Sequence, residues 1–238
     1  MYDLALSVAA CLRAGTDVDV AWLADPGGFP ADPTDAVALT PGGGRIGSLL
    51  GGALDGQLAE LAGPALGTGR LVSLTVSDVD ALVAGLPGGG EVRCLVVPAR
   101  ELPADLWDAL LARRPVWLST RVDGDRVLGT ELGEPDADTP SDSVEGTTVT
   151  TLTTVLRPVP TLLVVGTGEI AEALAVAATP LGWRVELTND PATATGTVAR
   201  LSPLDALVVA AHDLELAGTV LAAALGSDAG YVGAVGGR

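Results

Sequence analysis

The apolar run Leu162-Leu163-Val164-Val165 leads directly into Gly166-Thr167-Gly168-Glu169-Ile170-Ala171, and an acidic residue, Asp190, lies 24 positions after Gly166. A GxGxxA element between a strand and a helix, with an acid at that distance, is the context that dinucleotide binding requires. Gly166 permits the tight turn, and Gly168 lets backbone N–H groups approach a phosphate at the helix N-terminus. Ala171 allows close helix–strand packing, and Asp190 is placed to accept a ribose hydroxyl. The same residues also fit a turn used only for packing. His212 follows the apolar run Ala206–Ala211, at the strand end where open parallel sheets bind ligands. Its imidazole suits a cofactor bond, a proton transfer or a purely structural hydrogen bond. A second Gly-rich element, Arg45-Ile46-Gly47-Ser48-Leu49-Leu50-Gly51-Gly52-Ala53-Leu54-Asp55-Gly56, reads as another helix entry. Bare N–H groups there would make an anion site, and a close-packed turn accounts for it equally well.

Composition narrows the chemistry. All 13 basic residues of the 238 are Arg, so no lysine is available for a Schiff base, a P-loop or a kinase-type phosphate contact. Thirty acidic residues leave a net charge of -17, which disfavours nucleic acid and anionic membrane as partners. Cys11 and Cys94 form no disulfide framework, and with His212 as the one histidine a protein-only zinc site is not expected. No catalytic residue and no metal ligand is assigned. The N-terminus has no positive n-region and no run reaches 18 apolar residues, so a cytoplasmic protein is expected.

The elements that must carry these residues follow from periodicity. Leu4, Val8, Cys11 and Leu12 share a helix face that Gly15 ends. Strands are expected over 18–23, 36–40 and 71–76, with a Gly/Pro turn from Thr40 to Arg45. Gly51-Gly52 should open a helix with Leu54, Leu58 and Leu61 on one face. Ser77 and Asp80 resemble a capping box, with Val79, Leu82, Val83 and Leu86 as the buried stripe. A strand over 92–97, a helix from Pro103 to Arg114 and two strands around Asp123-Gly124 come next. The acidic stretch from Glu131 to Gly146 reads as a surface loop or linker. Beyond it, strands at 162–165, 183–187, 206–211 and near Tyr231 alternate with helices, a doubly wound α/β unit with a mostly parallel sheet. The expected domains are residues 1–157 and 158–238.

These motifs, taken together and in order, resemble the XdhC/CoxI family. Gly47-Ser48 through Gly56 is similar to its G-S-(x)2-G-G-C-(V/L)-E-G, Gly88-Gly89-Gly90-Glu91-Val92 to its C-G-G-x-V, and Gly166 through Ala171 to its G-A-G-H-V-A. Ala211-His212-Asp213 resembles T-H-D, and Tyr231 through Arg238 resembles Y-(I/V)-G-x-x-G-S-R. The resemblance implies an N-terminal α/β domain of XdhC/CoxI type followed by a Rossmann-like domain. It implies an accessory protein that binds molybdenum cofactor, as molybdopterin or its dinucleotide form, and delivers it to a xanthine dehydrogenase or carbon monoxide dehydrogenase apo-enzyme. A cysteine desulfurase partner and a homodimer are implied with it. The cofactor-binding residues would be Gly166, Gly168, Glu169, Ala171, Asp190 and His212, together with Arg45, Ser48, Gly51, Gly52 and Asp55.

The departures carry weight. The family cysteines are Ala53 and Gly88 here, and neither can ligate metal or carry sulfur as a thiolate would. The family histidine is Glu169, a negative charge beside the phosphate position. Binding is therefore expected to rest on the pterin phosphate, through backbone N–H groups and Arg45, and to weaken as ionic strength rises. Two other functions share the Rossmann turn: an NAD(P)-dependent oxidoreductase, which lacks a Tyr/Lys or His/acid pair here, and a non-catalytic partner protein with a relic Rossmann domain.

Overall fold

Along the strands of the N-terminal half, successive residues divide between two apolar clusters, as period-two pleating demands. Val20, Trp22, Leu95 and Val97 join one cluster, and Ala21, Cys94 and Val96 the other. The computed structural model describes residues 1–62, 67–133, 143–144 and 147–235. The chain divides into two units, Met1–Pro158 and Val159–Arg238.

Unit 1 runs α1 (Ala5–Arg13), β1 (Asp19–Asp25), β2 (Ala36–Leu39), β3 (Arg45–Gly47), α2 (Asp55–Leu61), β4 (Arg70–Val76), α3 (Asp78–Ala84), β5 (Gly90–Pro98), α4 (Asp105–Leu111), β6 (Val116–Asp123), β7 (Arg126–Leu132), β8 (Ser143–Val144) and β9 (Thr147–Leu156). Among the described residues these strands form one sheet in the order β3-β2-β1-β5-β4-β7-β6-β9-β8, every pair antiparallel. The unit therefore mixes helices with a meandering antiparallel sheet. Helices α1 and α4 close over one face, against Trp22, Leu95, Leu118 and Leu156. The segment from Leu49 through α2, together with α3, closes over the other. The sheet curls strongly: the indole Nε1 of Trp22 on β1 donates to Thr154 Oγ1 on β9 at 3.0 Å, although four strands separate them.

The sequence expectations fail at three places. First, β9 is absent from them because threonine alternates where a core strand would carry aliphatic residues. Thr is nonetheless a strong strand former, and β9 pairs with β6 over eight register positions, Val116↔Leu156 to Asp123↔Val149. Second, the stripe Val79, Leu82 and Val83 is not buried. Ser77 does cap α3, accepting from the Asp80 N–H, but the helix packs through Ala81 and Ala84, small residues that allow close backbone approach to Gly51. The large side chains point to solvent. Third, Gly51-Gly52 opens no α-helix. Leu50–Gly52 is a 3-10 turn with positive φ throughout, and α2 starts at Asp55. Most of the acidic stretch from Glu131 to Gly146 lies outside the described residues.

Unit 2 is a parallel α/β sandwich: β10 (Thr161–Val165), α5 (Glu169–Ala178), β11 (Arg184–Thr188), α6 (Pro191–Val198), β12 (Ala206–Val209), α7 (Leu214–Leu225) and β13 (Tyr231–Ala234). The sheet order is β11-β10-β12-β13, all parallel. Helix α5 packs on one face, with Ala171 against Leu162 and Val164. Helices α6 and α7 pack on the other, against Leu163, Val165, Leu207 and Val209. This is the doubly wound arrangement. The alternation of strands and helices implies a helix here without giving its range, which Asp190-Pro191, an N-cap followed by a first-turn proline, marks.

Candidate functional site

The strand order places the site. The chain leaves β10 for β11 on one side and returns to β12 on the other, so the loops after β10 and β12 part above the sheet's carboxyl edge. Open α/β sheets bind ligands in that crevice. Gly166, in the left-handed half of backbone space at φ 133, makes the crevice narrow. Its N–H donates to Thr188 O at 2.9 Å, and a Cβ at this position would stand 2.5 Å from Ala210 O and 2.8 Å from Ala211 N. Any other residue would drive the two loops apart. The turn after β10 therefore meets the segment that carries His212.

Gly168, at φ 103 and ψ -176, is the N-cap of α5 in a conformation open essentially to glycine alone. It supplies no side-chain cap, so the first-turn N–H groups of α5 are left open, as helix geometry dictates. The other two helices starting at this edge are capped by their own carboxylates. Asp190 Oδ2 accepts from Thr193 N and Thr193 Oγ1, both at 2.7 Å, and these bonds hold its carboxyl below the usual range. Asp213 Oδ1 accepts from Glu215 N at 2.9 Å and Leu216 N at 3.2 Å. Asp190, expected to hold a ribose, is thus already occupied at one oxygen by its own helix. Ala171 is fully buried and serves packing. Glu169 and His212 are exposed. The sequence reading passed over Asp213 as a cap, although an Asp directly before an apolar helical run is a start signal.

Charge at this edge is one-sided. Glu169, Asp190, Asp213 and Glu215 all lie in or beside the first turns of the three helices, and His212 is the only cationisable side chain on these loops among the described residues.

The Gly-rich element of unit 1 is organised from within. Arg45 Nη1 lies 2.5 Å from Asp55 Oδ2, whose side chain is 12% exposed, and the Leu49 N–H also bonds this carboxylate. Burial raises the Asp55 pKa, and the attraction of Arg45 does not fully offset it; Oδ1 is buried with no hydrogen-bond partner. The N–H groups of Gly52 and Ala53 donate to Leu49 O and Leu50 O, closing the 3-10 turn. Gly51 sits against the Ala84 carbonyl, and Ser48 is exposed. Expected to offer N–H groups and a free guanidinium to an anion, this element instead spends both on its own turn. It also carries a strained residue: Leu50 holds φ 50, an arrangement that costs about 1–3 kcal/mol and persists because the side chain is buried.

A pH dependence follows. The folded-state pKa of Asp55 is raised, so its contribution to stability is fully present below the ordinary Asp value of about 3.9 and is lost as pH rises through the folded value. In denaturant titrations the stability difference between the parent chain and Asp55→Asn should move against the parent as pH rises from 4 toward neutrality. A difference constant with pH would mean that Arg45 compensates the burial completely.

Both cysteines belong to unit 1. Cys94 is buried in the core of unit 1, where burial pushes its thiol up to about 12. Cys11 is half-buried on α1 and packs against the other cluster. Among the described residues no three His, Cys, Asp or Glu side chains are grouped so as to hold a metal ion. Among the described residues the donors left open at this edge are the first-turn N–H groups of α5 beside Gly168, the kind of donor a phosphate accepts from.

Comparison with known proteins finds a family resemblance in unit 2. The model of the XdhC Rossmann domain matches residues 162–238. Over these residues, about a third of the chain, the sequence is similar to the XdhC Rossmann domain. The matched stretch begins at the second residue of β10 and includes Gly166, Gly168, Asp190 and His212. Gly236 to Arg238, at its end, lie outside the described residues. A solved chain named as a xanthine dehydrogenase from Bacillus halodurans is 14% identical, with a TM-score of 0.49, over 100% of this chain and 82% of that one. No curated protein matches.

Proposed function

We propose that this chain is a member of the XdhC/CoxI family and an accessory protein of a molybdenum hydroxylase of the xanthine dehydrogenase or carbon monoxide dehydrogenase type. It binds molybdenum cofactor by the phosphate or nucleotide end and hands it to the apo-enzyme. The observation that carries this reading is the uncapped start of α5 on Gly168, next to the point where the strand order reverses. The cofactor would bring its own molybdenum chemistry; this chain supplies backbone N–H donors to the phosphate and no metal ligand. The XdhC domain supports the accessory role, and the proposal extends to a cytoplasmic homodimer that meets a cysteine desulfurase. Among the described residues no helix is long and apolar enough to cross a membrane.

The test is the pterin that co-purifies from molybdenum-replete cells, measured by fluorescence after oxidation, for the parent and for Gly168→Ala. No atom lies within 4 Å of the added methyl, so the variant strains only the backbone and keeps the fold while narrowing the phosphate approach. Loss of pterin in the variant supports the reading. Equal pterin in both removes the site from this edge. No pterin in either favours the non-catalytic partner with a relic domain.

The ionic-strength dependence should be opposite in sign to that expected from a free Arg45. A helix N-terminus contributes about half a positive charge. Carboxylates outnumber that contribution at this edge, so an anionic ligand is repelled at long range, and added salt screens the repulsion. Affinity should rise modestly with NaCl, and Glu169→Gln should strengthen binding by roughly two- to fivefold, the scale of one nearby exposed charge. Titration of the purified pterin at two salt concentrations checks both. Binding that weakens with salt would mean that a cation from elsewhere reaches the phosphate.

A further inference from the structure

Helix α3 carries the most continuous exposed apolar stripe on a single helix among the described residues. Val79, Leu82 and Val83, at i, i+3 and i+4, are 70%, 80% and 84% exposed. Other exposed apolar side chains are more dispersed: Leu214 and Leu225 sit at opposite ends of α7, and Ile170 and Val176 are six residues apart on α5. A helix that turns three branched aliphatic side chains outward while burying Ala81 gives up burial for a surface, and such surfaces mark interaction sites. The stripe adjoins the 3-10 turn Leu50–Gly52, since Gly51 packs on Ala84 at the end of α3.

Charge selects the occupant. Within α3 the charged side chains, Asp78 and Asp80, are both acidic. Asp78 and Asp80, in the first turn of α3, are exposed beside the stripe. In a two-fold pairing of this face with itself, identical acidic rims would meet, in a chain whose net charge is already -17.

We propose that the outer face of α3 is a docking surface for a different protein, one presenting an apolar centre rimmed by Arg or Lys. Resting on the accessory role proposed above, the partner is the apo-hydroxylase. The stripe supplies desolvation at the centre, and Asp78 and Asp80 supply orientation at the rim.

The experiment measures binding of the purified apo-form of a xanthine dehydrogenase-type hydroxylase from the same cells to the full chain and to the triple variant Val79→Ser, Leu82→Gln, Val83→Ser. Because these side chains are exposed, the variant should keep its melting temperature. The expected result is a Kd weakened by about tenfold or more in the variant, together with parent affinity that falls as NaCl rises. Equal affinities for parent and variant would overturn the docking surface and leave the accessory role standing. Affinity indifferent to salt would overturn the cationic rim. A parent dimer in sedimentation that the triple variant dissociates would make a second copy the occupant and overturn the proposal. A parent that binds no hydroxylase would overturn the accessory role, and this partner with it.

Discussion

Gly166→Ala should unfold unit 2 or lower its stability by about 3–5 kcal/mol, the range of severe backbone and overpacking substitutions. The added Cβ would meet Ala210 O at 2.5 Å, Ala210 C at 2.6 Å and Ala211 N at 2.8 Å. All three are backbone atoms at the end of β12, so no side chain can swing away to relieve the clash. Moving that backbone threatens the bond from Ala210 N to Val165 O, 2.7 Å, which closes the β10–β12 ladder. Moving Gly166 instead threatens its bond to Thr188 O and the β10–β11 ladder. A φ of 133 adds strain to any L residue wherever the clash is relieved. For a unit of this size each kcal/mol shifts the melting temperature by about 4–8 °C, so a drop on the order of 15 °C or outright unfolding is expected. Trp183 is the only tryptophan of unit 2, and its fluorescence reports this transition apart from unit 1. Gly168→Ala is the control, because it bears the φ cost without a clash. Equal melting for the two variants would show that the loops after β10 and β12 are not in close contact.

That contrast also shows what the sequence could and could not convey. The two glycines of GxGxxA were assigned separate roles from spacing alone, and the structure gives them separate surroundings: Gly166 is packed against Ala210, and Gly168 is open. The parallel unit was legible because each of its elements is driven by local signals: a run of aliphatics, a glycine turn, an Asp cap. Helix α3 was misjudged because periodicity reports that a stripe exists and not which way it faces. Small residues opposite the stripe, Ala81 and Ala84, brought the helix close to Gly51 and left Leu82 outside. The Arg45–Asp55 pair was illegible for a related reason. A guanidinium ten residues from a carboxylate pairs only if the intervening turn doubles back, and here the turn does so through positive φ at Leu50, Gly51 and Gly52. Strand β9 was lost to its threonines, whose hydroxyls mask a strand former in a hydropathy pattern.

The second large effect is expected at the opposite end of the same sheet. Asp205, 1% exposed, joins the starts of β10 and β12: Thr161 N donates to its Oδ1 at 2.7 Å, and Ser202 N and Ser202 Oγ donate to its Oδ2 at 2.7 and 2.8 Å. Its own carbonyl accepts from Gly230 N at 3.0 Å and Tyr231 N at 3.3 Å, which brings in β13. Asp205→Ala leaves the buried Thr161 N–H without this acceptor and removes the two bonds that Ser202 N and Ser202 Oγ make to the carboxylate. Hydrogen bonds to a charged acceptor contribute about 1.5–3 kcal/mol each, and a stranded buried donor costs about 1–3 kcal/mol. The expected destabilisation is about 4 kcal/mol, a large fraction of the 5–15 kcal/mol that holds a typical domain together. Asp205→Asn should cost roughly half as much, because its amide keeps one acceptor and turns a donor toward another donor. Guanidinium unfolding monitored at Trp183 measures both, and an Asn variant as stable as the parent would mean that the carboxylate's second oxygen is dispensable. Because Asp205 lies at the amino edge of the strands and the candidate phosphate site at the carboxyl edge, Asp205→Asn should lower stability without changing pterin affinity in the folded fraction. Gly168→Ala should lower pterin affinity in the folded fraction, with a stability cost limited to the strain of its φ. The two substitutions together separate what holds this domain from what it binds.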